Sequence, residues 1–434
     1  MLNHRRLSRV IFLAMAFLLL SAAVPLFVLA DSHTDGLDPQ TEFYVAKRNQ
    51  GAILQIAGLI SSGDTESADL IRTMIEIPQS VWFVGGSPQK VQQDVKNTVQ
   101  RAAGKGTVPV LVAYNIPFRD CSQYSAGGAT SVAEYEAWID GFAAGIGSRE
   151  AVVILEPDGL GIIPWYKQFR GLPSEAADYE WCQPPEADAA TAADERFEML
   201  NYAVDALKAW PNTYVYLDGT NSLWLGSGDA AQRLVQAGVE RADGFFVNVS
   251  NYRPTDQLEK YGTWTAKCIW FADDPGSWGY GHYDWCASQY YPADPYDFST
   301  WYKTDQWYAD NVESQTWVPY PGDEGLTNFV IDTSRNGQGG WMPEVSYPDP
   351  QDWCNPPDRG LGLLPTADTG STLVDAYLWV KIPGESDGEC TRGLGQAGET
   401  VDPEWGLIDP AAGAWFPEMA LQLVHNANPA LPGN

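Results

Sequence analysis

The sequence is poor in basic side chains: 26 Lys and Arg stand against 56 Asp and Glu in 434 residues, giving a formal net charge of −30. Such a surface repels nucleic acid and anionic membranes, so we expect no nucleic-acid partner. A neutral polymer meets no such penalty. Only four histidines are present, which disfavours histidine-based catalysis. The GxSxG, HExxH and GxxxxGK[ST] signatures are also missing, which argues against the corresponding hydrolases and nucleotide-binding proteins.

Cysteine is scarce too, but the six cysteines form an even set without CxxC or CxxH spacing. A zinc site is therefore not expected, and we predict no metal in the chemistry. An even set in an oxidising compartment favours three disulfides, whose pairing the residues leave open. The cysteines are Cys121, Cys182, Cys268, Cys286, Cys354 and Cys390.

Long apolar runs are absent after the N-terminus. Three arginines precede a nearly continuous apolar run from Val10 to Leu29. This pattern predicts a signal peptide over residues 1–30, with an uncleaved membrane anchor as the alternative. We therefore expect a secreted, extracellular protein that does not contact the membrane after cleavage. A short polar lead over 31–40 follows.

Short apolar runs then alternate with amphipathic stretches, which indicates βα units and a parallel sheet. About seven strands predict one α/β barrel. We find no repeat and no Pro/Ser-rich linker, so residues 41–434 are expected to form a single domain without a separate binding module. The strand candidates are 80–84, 109–113, 151–155, 213–217, 244–249, 328–331 and 375–380.

Residues 252–325 interrupt the alternation of apolar runs and amphipathic stretches and contain many Trp, Tyr, Pro and Asp residues. A long stretch of this kind predicts an ordered insertion, which a local Cys268–Cys286 link could staple. Clustered carboxylates suit Ca²⁺, so a structural calcium ion is one hypothesis and a solvated acidic loop is the other. The aspartates concerned are Asp273, Asp274, Asp294 and Asp297.

Acidic residues follow five of the strand candidates. Ligands of parallel α/β proteins bind beyond the carboxyl ends of the strands, so these side chains predict an acidic cleft. A carboxylate cluster can supply both a proton donor and an ionised partner, as glycosidic hydrolysis requires. The 18 Trp and 21 Tyr residues would suit the C–H faces of sugars. The acids are Asp120, Asp158, Asp218, Asp332 and Asp387.

The blocks around these residues resemble glycoside hydrolase family 6, the inverting cellulases. They follow the family order across nearly the whole chain after residue 41. The most specific are YNIPFRDCSQYSAGG (114–128), ILEPDGL (154–160), YLDGTNSLWLG (216–226), NVSNYR (248–253), DTSRNGQG (332–339), WCNPPDRGLG (353–362) and DAYLWVKIPGESDG (375–388).

The resemblance implies a distorted barrel of about seven strands with a cleft or tunnel at the carboxyl strand ends. It implies that Asp158 is the general acid, that Asp120 raises the pKa of Asp158 and orders the attacking water, and that Asp387 is the base. It also implies disulfides Cys121–Cys182 and Cys354–Cys390, which leaves Cys268–Cys286. No cofactor is implied. The implied sugar-binding residues are Tyr114, Asp218, Trp224, Asn251, Trp353, Lys381 and Glu385.

Two positions depart from the family pattern. A serine common in relatives is replaced by Ala126, with Ser125 beside it, so the group that holds the water is open. A common histidine is replaced by Asn221, which could alter a sugar contact. Arg119 and Arg335 are interpreted as loop-holding residues.

The predicted partners are cellulose and cello-oligosaccharides, and the predicted state is a monomer. The long segment 388–413 is typical of chain-end cutters, whereas the short loop after Asp120 is typical of open endoglucanases. The sequence favours a cellobiohydrolase, with an endoglucanase as the alternative. A retaining glycosidase and a non-catalytic carbohydrate-binding protein are remoter alternatives. Because Asp158 must be protonated, we also expect an acidic activity optimum.

Overall fold

The computed structural model describes residues 36–167, 179–316 and 318–432. The predicted signal peptide and the first half of the polar lead, residues 31–35, lie outside these residues. Within the described ranges, no helix combines the length and apolar character needed to cross a membrane.

Seven parallel strands form one sheet in the order β1-β2-β3-β4-β5-β6-β7. Most strand residues are buried, as expected for a parallel sheet covered on both faces. The sheet curls until Ser80, before β1, donates its backbone N–H to the Trp379 carbonyl after β7 at 3.0 Å. The predicted α/β fold of about seven parallel strands is confirmed. The strands are β1 (Val81–Phe83), β2 (Val110–Ala113), β3 (Ala151–Leu155), β4 (Thr213–Asp218), β5 (Gly244–Val247), β6 (Phe329–Asp332) and β7 (Val374–Leu378).

The helices pack around this sheet, and several have strong start signals. Ser87 accepts a hydrogen bond from the Lys90 backbone N–H just before Pro88, and Ser131 does the same for Glu134. Such caps satisfy amide groups that the first helical turn leaves unpaired. The helices are α1 (Gln50–Ser62), α2 (Thr65–Met74), α3 (Pro88–Ala103), α4 (Val132–Ile146), α5 (Ala192–Lys208), α6 (Ser227–Gln236), α7 (Thr255–Asp273), α8 (Tyr302–Tyr308) and α9 (Pro417–His425).

The core has separate layers on the two faces of the sheet. Alternate strand residues such as Val112, Ile154 and Val330 form a buried cluster inside the curled sheet. Their neighbours along the strands, such as Leu111 and Val153, pack with the surrounding helices in a larger cluster. This alternation follows from the two-residue period of a strand. Filling the interior with side chains leaves the carboxyl edge of the sheet as the place for a cleft.

The predicted insertion at 252–325 needs a correction. Its first part is the 19-residue helix α7, which connects β5 to β6 as an ordinary crossover. The irregular excursion is therefore 274–325, which contains the short helix α8. The sequence missed α7 because its aromatic and polar residues give a weak helical pattern.

All three predicted disulfides are confirmed. Cys121–Cys182, Cys268–Cys286 and Cys354–Cys390 have Cα–Cα separations of 5.8, 5.9 and 6.0 Å. The first joins the loop after β2 to the segment before α5, and the third joins the loop after β6 to the segment after β7. Two of the links therefore brace loops at the carboxyl edge of the sheet.

The calcium hypothesis finds no support in the geometry of the acidic excursion. Asp294 and Asp297 each accept hydrogen bonds from backbone N–H groups two residues further on, as does Asp274. These contacts are typical of turn residues. Across the ranges the structure describes, the one group of three ligand-type side chains with converging atoms is Cys390, Asp402 and Asp409, and its cysteine is in a disulfide.

Candidate active site

A cavity of about 340 Å³ opens at the carboxyl edge of the sheet. Loops that follow β2, β3, β4, β5, β6 and β7 all contribute to its walls. The structure therefore brings together eight of the ten predicted catalytic and sugar-binding residues. They are Tyr114, Asp120, Asp158, Trp224, Asn251, Trp353, Lys381 and Asp387.

Asp158 lies on a tight loop directly after β3. Glu156 and Asp158 both have positive φ angles, +52° and +63°, a conformation uncommon for residues with a side chain. The Glu156 carboxylate is fully buried and accepts the backbone N–H groups of Asn115 and Ile116 at 2.9–3.0 Å. Glu156 thus ties the loop after β3 to the loop after β2 and fixes the direction in which Asp158 projects.

The surroundings of Asp158 favour its protonated form. Burial raises the pKa of Asp158 well above its usual value, and the charges of Asp218, Asp120 and Asp387 raise it further, against a lowering by Lys381. Desolvation and like charge both penalise the ionised carboxylate. Asp158 can therefore carry a proton at a pH at which an exposed aspartate has lost it.

Asp120 lies in the loop after β2 and faces the same cavity. Its carboxylate accepts the Ser125 backbone N–H at 2.6 Å. Burial raises the pKa of Asp120 to about 6, although this hydrogen bond and Arg119 act in the opposite direction. Arg119 donates to the carbonyls of Ser125 and Val84, which agrees with its predicted role in holding loops.

Asp387 is held as a carboxylate by two cations. Arg335 donates to both of its oxygens at 2.9 Å, and the Lys381 ammonium lies 3.3 Å away. Tyr252 and the Asn355 backbone N–H add hydrogen bonds at 3.0 Å. Burial would raise the pKa of Asp387, but Arg335 and Lys381 outweigh burial and hold the pKa below its usual value. Arg335 was interpreted as a loop-holding residue, and its ion pair with Asp387 is a contact of this kind.

The two remaining strand-end aspartates bind backbone and do not line the cavity. Asp218 accepts the N–H groups of Leu160, Gly161 and Thr220 at 2.9–3.1 Å. Asp332 accepts four N–H groups, including that of Lys381 at 3.0 Å. The acidic cleft therefore contains three of the five predicted aspartates. The other two organise the loops that carry them.

Glu385 also lies outside the cavity lining. Its carboxylate accepts the Asn49 side-chain amide at 2.7 Å, which joins the loop after β7 to the start of α1. A sugar contact of Glu385 or Asp218 stays a prediction. Of the two positions that depart from the family pattern, Asn221 lines the cavity and Ala126 does not, although its neighbour Ser125 does.

Two tryptophans that sequence reasoning did not assign to the site also line the cavity, Trp82 and Trp181. Trp82 lies in β1 and packs edge-on against Tyr114, with ring centroids 5.4 Å apart. Trp181 precedes Cys182, which is bonded to Cys121 beside Asp120. The implied Cys121–Cys182 disulfide could have placed Trp181 near Asp120 before the structure was known. No feature of the sequence pointed to Trp82 as a site residue, because a tryptophan in a strand usually belongs to the core.

Two buried arginines position the loop after β3. Arg196, on α5, donates to the carbonyls of Gly159, Ile162 and Pro117 at 2.7–2.8 Å. Arg233, on α6, donates to the Leu160 carbonyl at 2.9 Å. Neither arginine lines the cavity, so both act through the loops that carry Asp120 and Asp158.

Because several of its carboxyl groups have raised pKa values, the protein is expected to be more stable in mild acid than in mild alkali. Each has a pKa raised chiefly by burial, to about 6 or 7, against about 4 in an unfolded chain. The native state therefore binds more protons between pH 4 and 7, and stability falls as pH rises through that window. We expect a midpoint of thermal unfolding roughly 5 °C higher at pH 5 than at pH 8. The groups are Asp120, Glu156, Asp218, Asp375 and Asp409.

Calorimetry at both pH values, repeated in 0.5 M salt, checks this expectation. Salt screens the repulsion of the acidic surface but hardly reaches buried groups. An equal or higher midpoint at pH 8 would contradict the raised pKa values.

Comparison with curated proteins identifies relatives along almost the entire chain. Endoglucanase 1 of Streptomyces halstedii is 31% identical over 407 residues, covering 93% of this chain and 95% of the relative. A 1,4-β-D-glucan cellobiohydrolase of Podospora anserina is 28% identical over 362 residues, covering 77% of this chain and 68% of the relative.

Among solved structures, the endoglucanase Cel6 from Mycobacterium tuberculosis has 31% identity and a TM-score of 0.60, covering 89% of this chain and 97% of that one. That protein was solved in complex with methyl-cellobiosyl-4-deoxy-4-thio-β-D-cellobioside. The sequence pattern of glycosyl hydrolases family 6 matches residues 38–427. This chain, with its curled parallel sheet and its cleft of carboxylates and aromatic rings, belongs to glycosyl hydrolases family 6 and is a cellulase.

Proposed function

We propose that this cellulase hydrolyses β-1,4-glucosidic bonds with inversion, with Asp158 as the general acid. The observation that supports this most strongly is the placement of Asp158, a half-buried carboxyl in the cleft with a raised pKa among three carboxylates. Asp158 would protonate the glycosidic oxygen as its bond to C1 breaks. Water would attack C1 from the opposite face and lose a proton, which yields a hemiacetal of inverted configuration.

The base is better assigned to Asp120 than to Asp387, the residue that the family resemblance implied. A carboxylate paired with both Arg335 and Lys381 accepts a proton reluctantly. Asp120 faces the cavity, and its pKa of about 6 is better matched to proton transfer near neutral pH. Asp387 would instead stabilise positive charge that develops on the sugar ring. Family membership implies no metal or organic cofactor in these steps.

The substrate contacts would come from the aromatic rings of the cleft. Trp82, Trp181, Trp224 and Trp353 line the cavity together with Tyr114, whose ring is held by the Arg119 guanidinium, 4.5 Å from the ring centroid. Rings of this kind stack on the C–H faces of glucose units, while polar groups bond to the hydroxyls. Cellulose and cello-oligosaccharides are the proposed ligands of a monomeric enzyme.

We further propose attack at internal bonds. None of residues 388–413 lines the cavity that holds Asp158, although a covering loop would have to. Arg392 in this segment forms a fully buried pair with Asp402 and donates to the carbonyls of Gln351 and Cys354. These contacts hold the segment against the loop after β6. The endoglucanases among the relatives are also somewhat closer in sequence than the cellobiohydrolases.

Chain-end attack, which the sequence favoured, is the second candidate. A neighbouring cavity shares Gln123 and Trp353 with the first, and Glu389, Ala397, Ala411 and Ala412 form part of its wall. The 388–413 segment therefore borders a continuation of the cleft. A wall on this side would suit an enzyme that releases cellobiose from a chain end.

Secretion is proposed from the N-terminal pattern together with the disulfides. Three disulfides are present and the described residues contain no free cysteine. Such pairing is favoured in oxidising compartments and rare in the cytosol. We therefore propose an extracellular enzyme.

Proton NMR of a fresh cellohexaose digest tests the chemistry. We expect an initial burst of α-anomer and an activity maximum below pH 7, because the general acid must be protonated. A β-anomer burst, or a maximum above about pH 8, would contradict the mechanism. Carboxymethylcellulose tests the mode of attack. Early viscosity loss with little release of reducing sugar would support internal attack, whereas cellobiose release without viscosity loss would support chain-end attack.

A further inference from the structure

The excursion at 274–325 exposes tyrosine rings beside the cleft. Tyr291 is 75% exposed, Tyr296 82% and Tyr290 43%. Exposed clusters of large aromatic side chains on a soluble protein usually mark an interaction surface. The catalytic steps derived above use none of these three tyrosines.

This surface is continuous with the cleft. The Tyr290 hydroxyl donates to the carbonyl of Trp224 at 3.0 Å, and Trp224 lines the cavity. The Gln289 side chain donates to the Leu225 carbonyl at 2.9 Å, and the Ser227 hydroxyl donates to the Ala287 carbonyl at 2.7 Å. Three hydrogen bonds thus fix the segment 287–290 against Trp224 and the residues that directly follow it.

A buried scaffold holds the backbone that carries the exposed rings. Trp301 is fully buried, packs 5.2 Å from Trp264 between ring centroids, and donates its indole N–H to the Asp294 carbonyl at 2.9 Å. Thr304 donates to the Ser288 carbonyl at 2.8 Å. These contacts fix the backbone on either side of Tyr291 and next to Tyr296. A ligand that stacks on the rings would therefore lose little entropy by ordering the loop.

We propose that Tyr290, Tyr291 and Tyr296 form an accessory binding surface for a single β-1,4-glucan chain, extending the cleft beyond Trp224. This inference rests on the proposed function of the cleft. Tyrosine rings offer an apolar face and a hydroxyl, which match the C–H face and the hydroxyls of a glucose unit. The neighbouring acids Asp294 and Asp297 and the net charge of −30 disfavour an anionic polysaccharide or nucleic acid. The surface thus suits a neutral chain whose other end lies in the cleft.

The test is the binding isotherm of the full protein on amorphous cellulose, in an Asp158→Asn background so that the solid is not degraded. We expect Tyr291→Ala combined with Tyr296→Ala to lower the partition coefficient roughly fivefold or more, as loss of one to two stacked rings implies. The matched control is Tyr280→Ala, a 54% exposed tyrosine of the same excursion, with unchanged binding expected. Equal binding of the double variant and its parent would overturn the proposal.

Two further measurements distinguish failure of the proposed accessory surface from failure of the proposed function. Hydrolysis of cellohexaose by the native enzyme tests the cleft alone; no hydrolysis would overturn the proposed function itself. Sedimentation tests whether the rings instead contact a second copy of the chain. A native dimer that the double variant converts to monomer, with unchanged cellulose binding, would assign the surface to self-association and refute glucan binding. Unfolding midpoints of the variants within about 2 °C of the parent would show that the fold is intact.

Discussion

Asp158→Asn is expected to lower kcat on cellohexaose by about 10³-fold or more, within the range that general acid catalysis supplies. The amide has nearly the same shape as the carboxyl group, so substrate binding should change little and KM should stay close to its native value. It cannot, however, protonate the leaving oxygen. Steady-state kinetics at the native pH optimum measure both constants.

The leaving group provides an internal check on this assignment. An aryl cellobioside with a weakly basic phenolate leaving group needs little protonation, so Asp158→Asn should slow its hydrolysis at least tenfold less than that of cellohexaose. The matched control is Asp140→Asn on the exposed face of α4, where the carboxylate accepts the Tyr202 hydroxyl; activity should be unchanged. Equal losses on both substrates would assign Asp158 to a role other than proton donation.

Arg335→Met is expected to lower the free energy of unfolding by about 3–5 kcal/mol, as breaking one side of a buried ion pair does. Arg335 is fully buried and bonds to both oxygens of Asp387 and to the Ser250 carbonyl. In the variant, Lys381 alone would balance the buried Asp387 carboxylate. Chemical denaturation at pH 7 measures the loss.

The pH dependence of that loss follows from the sign of the shift. The pKa of Asp387 is lowered by folding, so the pair contributes its full stability above the unfolded value of about 4 and loses it as pH falls through the folded value. The difference between native protein and variant should therefore shrink below about pH 4. Arg241→Met is the matched control, because Arg241 forms an exposed pair with Asp205; a loss below about 1 kcal/mol is expected. A loss as small for Arg335→Met would show that the pair does not bear on stability.

The alternation of apolar runs and amphipathic stretches was sufficient to predict the fold. Strand β3 begins and ends at the predicted residues, because a fully buried strand has sharp boundaries in sequence. Helix α7 was assigned to an insertion, because its exposed and buried faces both carry aromatic and polar residues. The local sequence pattern does not predict an element whose conformation is decided by packing against a neighbouring element.

The site was predicted in part. Asp120, Asp158 and Asp387 follow strand ends, and the sequence alone could place them at one edge of the sheet. The strand pattern could not separate these three from Asp218 and Asp332, the last residues of β4 and β6, and only the family resemblance gave the three the catalytic roles. The structure distinguishes them by partner: Asp218 and Asp332 accept several backbone N–H groups, whereas Asp120 and Asp158 face the cavity.

The sequence by itself determined the parallel βα organisation, the even set of cysteines and the acidic edge of the sheet, because these follow from periodicity and from residue type. The family resemblance implied which acid is protonated, but only the tertiary structure gives the physical cause. Burial and the neighbouring carboxylates raise the pKa of Asp158, while Arg335 and Lys381 lower that of Asp387. A pKa depends on distances between groups that lie far apart in the chain, and folding alone sets those distances.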